Sequence, residues 1–124
     1  MADIKEFTGL TDFSAAGRLA TSEAAVATAS SFTSLASNTS LVIISGSTAA
    51  LAVHGIIAGV SGQRMSLINL GTGVMTIKHE SSSAAAANRI TSLTGADVAS
   101  TGAGAAELVY STASSRWILI NSQA

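Results

Sequence analysis

The chain has 124 residues, carries a formal net charge of −1 and contains no cysteine. One domain of modest core size is the natural count for that length. Scattered basic residues exclude the electrostatic footprint of a nucleic-acid binder, and the lack of cysteine excludes disulfides and thiolate metal sites.

Hydrophobic residues make up 48% of the chain, aromatics 4% and charged residues only 10%. An ordinary soluble domain has about 25% charged residues. Much of the surface must therefore be Ser, Thr, Ala and Gly, which suits packing against other protein.

The opening residues, Met1-Ala2-Asp3-Ile4-Lys5-Glu6-Phe7, have neither the basic start nor the apolar run of a signal peptide. The expectation is a product made in a cytoplasm that stays soluble or joins an assembly. Phe7, Leu10 and Phe13 recur every three residues, the spacing of one face of a short helix or of a docking arm. Residues 15 to 29 mix Ala with Ser and Thr and form no clean helical stripe. Residues 1–38 are accordingly read as an N-terminal docking arm and residues 39–124 as the folded domain.

From Leu41 the signal is β. Leu41-Val42-Ile43-Ile44 is a continuous apolar run, as in a strand buried on both faces. The longest apolar stretch, Ala49 to Val60, is broken by His54, Gly55 and Gly59. It is too short to cross a membrane, and Gly55 reads as a bulge or bend. Arg64 to Leu70 and Val74 to His79 are expected to pair as a hairpin. Gly71-Thr72-Gly73 would be its loop, with one glycine at positive φ. Short strands are expected over 89–93 and 97–100, and a last hairpin joins Glu107–Ser111 to Arg116–Asn121 across residues 112–115. Turn signals every eight to twelve residues point to an all-β, antiparallel β-sandwich, jelly-roll-like in layout, with a short N-terminal arm.

Candidate chemistry is sparse. His54 and His79 are the only histidines, and a hydrolytic triad needs a base held between a nucleophile and an acid. Ser45-Gly46-Ser47 is not a nucleophile elbow. His54, in an apolar run, reads as a hydrogen-bonded core or interface residue. His79 and Glu80 lack a visible third metal ligand. The reading is no enzyme, no cofactor and no metal. Gly71-x-Gly73 and Gly102-x-Gly104 are turns, not dinucleotide loops.

The stretches Gly62-Gln63-Arg64-Met65-Ser66-Leu67-Ile68-Asn69-Leu70-Gly71, Val74-Met75-Thr76-Ile77-Lys78-His79-Glu80-Ser81 and Asn88-Arg89-Ile90 together resemble a β-domain recurrent in structural proteins of tailed bacteriophages. Head fibres, decoration proteins and tail-fibre tips carry it. Glu107-Leu108-Val109-Tyr110-Ser111 and Arg116-Trp117-Ile118-Leu119-Ile120 resemble that family's closing hairpin. The resemblance implies a virion structural protein, assembled in the host bacterial cytoplasm and commonly trimeric. It decorates or stabilises the capsid as a head fibre or decoration protein; a receptor-binding tail module that recognises a host surface glycan is the alternative. Phe7, Leu10 and Phe13 would then dock the arm on other virion proteins. Asn88, Arg89 and Arg116 would belong to the β-framework, because arginine's planar fork ties loops through carboxylates or carbonyls. Trp117 and Tyr110, the only Trp and Tyr, would anchor the core or a subunit interface. No nucleic-acid or membrane-inserted partner is expected.

Overall fold

The computed structural model describes residues 23–27, 29–46 and 48–123. Its strands are β1 (Glu23–Ala27), β2 (Ser31–Phe32), β3 (Leu41–Ser45), β4 (Leu51–Val53) and β5 (Arg64–Asn69), followed by β6 (Met75–Ile77), β7 (Ile90–Ser92), β8 (Val98–Ala99), β9 (Gly104–Ser111) and β10 (Arg116–Gln123). The protein is all-β, as the sequence implies. Phe7, Leu10 and Phe13 lie outside the described residues.

The strands form two mixed sheets, one in the order β1-β3-β5-β9-β10-β7 and one in the order β2-β4-β6-β8. Through β8 the chain alternates between them, odd strands in the first and even strands in the second. The first round trips lay each new strand parallel to the last: β3 along β1, β5 along β3, β4 along β2 and β6 along β4. The arrangement is solenoid-like. Among the described strands, antiparallel pairing joins β5 to β9, β9 to β10 and β6 to β8, and β7 closes the large sheet by running parallel to β10. The expected antiparallel, jelly-roll-like order is thus replaced by a mixed one. Parallel neighbours need a crossover between them, and here the crossover is a strand of the opposite sheet rather than a helix.

The largest departure concerns the expected hairpin over 64–79. Both segments are strands, but β5 and β6 belong to different sheets. Gly71-Thr72-Gly73 is a corner, and neither glycine is at positive φ. Two features turn the chain there. Asn69 is 1% exposed; its Nδ2 donates to the Gly73 carbonyl at 2.8 Å and its Oδ1 accepts from the Gly71 N–H at 3.0 Å. Gly73 sits so close to the preceding coil that a Cβ there would lie 1.9 Å from the Ala49 carbonyl oxygen. The glycine is demanded by close approach of two backbones, not by handedness.

The sheets share one apolar cluster. Val42, Ile44, Met65, Leu67, Leu108, Trp117 and Ile90 come from the large sheet, and Leu51, Val53, Met75 and Ile77 from the small one. Each such side chain contributes roughly 1.5–3 kcal/mol on full burial. The run Leu41 to Ile44 follows the pleat: Val42 and Ile44 are buried, Leu41 and Ile43 half-buried. It is therefore not sealed on both faces. The sheet framework also begins earlier than residue 39. β1 and β2 pair with β3 and β4, and Leu35 is buried, so the described part of the expected arm belongs to the sheets.

Candidate functional site

Three of the segments that carry the resemblance meet in one region: Asn88-Arg89-Ile90, Glu80 at the end of the second segment, and Arg116-Trp117, where the loop between β6 and β7 reaches β10. Ile90 pairs with Trp117, and Thr91 with Ile118. This register brings Asn88, Arg89 and Arg116 together, and each secures a loop.

The Asn88 side-chain oxygen accepts from the Ala58 N–H at 3.0 Å, while its backbone carbonyl accepts from the Ile56 N–H at 2.9 Å. Arg89 Nε donates to the Ala84 carbonyl at 3.2 Å, and the Arg89 carbonyl accepts from the Trp117 N–H. Gly55 lies inside this junction. A Cβ there would come within 2.6 Å of the Ala84 Cβ and 2.9 Å of the Asn88 carbonyl, so Gly55 marks a close backbone approach.

Arg116 Nε reaches both oxygens of Glu80 at 2.9 Å, and Nη1 donates to the Ser115 carbonyl. Thr91 Oγ1 donates to Glu80 Oε1 at 2.6 Å. Glu80 holds φ at 46°, a left-handed conformation uncommon outside glycine. Its carboxylate thus ties β7, β10 and the corner after β6 together. The Thr91 hydroxyl holds the Glu80 carboxyl below the usual carboxylate range, with Arg116 adding to the effect and slight burial opposing it. The sequence sets Glu80 beside His79 with no third metal ligand in view; in the structure it is the partner of Arg116.

Trp117 is fully buried. Its Nε1 donates to the Ile57 carbonyl at 3.1 Å, and its ring meets Tyr110 edge-on, centroids 5.2 Å apart and planes at 69°. The Tyr110 hydroxyl donates to the Ala87 carbonyl at 3.1 Å. Both aromatics therefore join the core to the loops that cross its end.

The two histidines serve separate contacts. His54 is half-buried, with Nδ1 2.7 Å from Ser81 Oγ. His79 Nδ1 accepts from the Ser92 N–H at 3.0 Å, and its backbone N–H donates to Asp97 Oδ1 at 2.7 Å. Asp97 also pairs with Lys78, which, followed by the His79 N–H, holds its carboxyl low. Among the described residues no three His, Asp or Glu side chains gather as metal ligands, and no helix is long and apolar enough to cross a membrane. A cleft of about 240 Å³ opens between Met75, Ile77, Val98 and Ala106, smaller than the roughly 300–1,000 Å³ of ligand pockets.

Sequence reasoning singled out neither Asn69 nor Glu80 for these roles. Asn ahead of a Gly-x-Gly turn is a recognisable signal, since its side chain bonds the backbone two residues on. The Glu80–Arg116 pair spans 36 residues and leaves no local trace. Comparison with protein families and with curated proteins finds no match to this chain.

Proposed function

We propose that this chain is a structural protein of a tailed-bacteriophage virion, a small head fibre or decoration protein that decorates or stabilises the capsid as a homotrimer. The carrying observation is where the resemblance falls. Asn88-Arg89-Ile90 and Arg116-Trp117 meet in one junction, and their polar groups are spent on holding loops to sheets. Among the described residues no buried side-chain nitrogen or oxygen lacks a partner. A fully satisfied polar network rigidifies a framework, which suits a displayed structural module.

The surface supports self-association. Leu93 is 74% and Ile120 43% exposed; they line one shallow cleft with Val98 and Leu119. Exposed aliphatics grouped on a weakly charged surface favour a subunit contact. The receptor-binding alternative has less support, because Trp117, the best candidate sugar platform, presents no exposed face.

Electron microscopy of particles with and without the protein tests the station: added density on the capsid is expected, and density at the tail tip would favour the receptor-binding reading. Sedimentation at micromolar concentration should give a trimer. A stable, folded monomer would remove the assembly part of the proposal.

A further inference from the structure

The large sheet keeps an apolar side turned away from the core. Side chains alternate across a strand, and Val42, Ile44, Met65, Leu67, Leu108 and Trp117 point inward. The residues between them therefore point outward. The register sets Ile43 of β3 beside Ile68 of β5, and Leu41 of β3 beside Ser66 of β5. Toward the other end of the sheet, Val109 of β9 stands beside Ile118 of β10. All five aliphatics are half-buried.

Such a side is unlike a sheet face built for water, where polar residues alternate with the apolar ones that face the core. Here Leu, Ile and Val occupy outward positions on β3, β5, β9 and β10, which are neighbours in that order. Aliphatics grouped on one surface mark a contact with other protein. Ile120, two positions beyond Ile118 in β10, extends the group toward the cleft lined by Leu93.

The charges on the same side point to what the surface meets. Arg64 opens β5 and Glu107 lies in β9, and both are exposed. Arg64 pairs across the strands with Val109, and Ser66 with Glu107. A cation and an anion thus stand one strand apart near the middle of the sheet. The ion pairs among the described residues are Lys78–Asp97 and Glu80–Arg116, so neither group is neutralised there; Glu107 accepts instead from the Ser66 hydroxyl at 2.7 Å. A surface with adjacent, unspent charges of opposite sign is complementary to its own copy. Arg64 of one chain can meet Glu107 of the next, while the aliphatics of β3 and β5 meet those of β9 and β10. Repeated head to tail, such a contact closes a ring, and the charges fix its register.

We propose that the outward side of the large sheet is the surface through which copies of this chain associate, with Arg64 of one copy paired to Glu107 of the next. The proposal rests on the self-association argued above. It adds the face that is buried and the ion pair that sets one copy against another, and it holds whether or not the protein sits on a virion.

Sedimentation velocity of the full chain over a wide dilution series, with far-UV circular dichroism as the control for folding, tests the contact. R64E and E107R should each weaken association on the order of 10-fold or more, because like charges then meet between copies. The double variant R64E/E107R should restore it. I68T should weaken association as well and keep the β-strand spectrum. A wild-type chain that is monomeric at every concentration would overturn this proposal and the assembly reading with it. An oligomer that R64E, E107R and I68T all leave intact would overturn this interface alone and leave the assembly reading standing.

Discussion

Replacing Trp117 with alanine removes the largest side chain of the core. The ring is fully buried, so truncation costs about 3–5 kcal/mol in lost transfer energy and cavity formation. The Ile57 carbonyl also loses its donor, a further cost of about 1–3 kcal/mol if it stays dry. The edge contact with Tyr110 disappears as well. Against a total stability of about 5–15 kcal/mol, even the lower figure of about 3 kcal/mol corresponds to a fall in Tm on the order of 12 °C for a domain of this size. W117F should fall between wild type and W117A, because it keeps most of the packing and loses the N–H donor. Far-UV circular dichroism suits the measurement, since the substitution removes the chain's only tryptophan fluorophore. A W117A melt within about 1 kcal/mol of wild type would refute the core role, since truncation of a buried aromatic costs several times that. Normal assembly with lost host adsorption would point to recognition instead.

G73A should destabilise by more than about 2 kcal/mol, because its Cβ meets the Ala49 backbone rather than a flexible side chain; urea denaturation would show the shift, and a wild-type curve would mean the corner is looser than described. N69A leaves the Gly71 N–H and Gly73 carbonyl unpaired in a buried corner, and about 2–3 kcal/mol of destabilisation is expected in the same assay. The Glu80 and Asp97 carboxyls are both held low, so the stability they contribute is present above the unfolded carboxylate values near about 4 and is lost as pH falls through the lower folded values. Melting temperature should be flat from about pH 5 to 7 and drop below about pH 4, and E80Q should reduce that drop. The partly exposed Arg116–Glu80 pair itself is worth at most about 1 kcal/mol at neutral pH.

Much of the strand content was legible in the sequence. Leu41 to Ile44, Arg64 to Asn69, Glu107 to Ser111 and Arg116 onward show β character locally, and the final hairpin closes where its turn residues place it. Trp117, the largest side chain in an aromatic-poor chain, is fully buried. Framework roles for Asn88, Arg89 and Arg116 were expected from the resemblance alone. What local pattern could not carry was which strand lies beside which. Two strands joined by a short glycine turn read as a hairpin whether the turn folds back within one sheet or crosses to another. The difference rests on the Asn69 side chain and on a backbone approach between Gly73 and Ala49, which lie a full coil apart in sequence. Early residues such as Ala24 and Val26 are equally mute alone: they join the sheet because Val42 and Ile44 offer a parallel edge. Glu80 becomes the partner of Arg116 only when β7 is laid along β10. Residue type and periodicity determined strand and turn, since both act over a few neighbours. Register, parallel stacking and the Glu80 tie are long-range pairings, decided when the coils pack on one shared core.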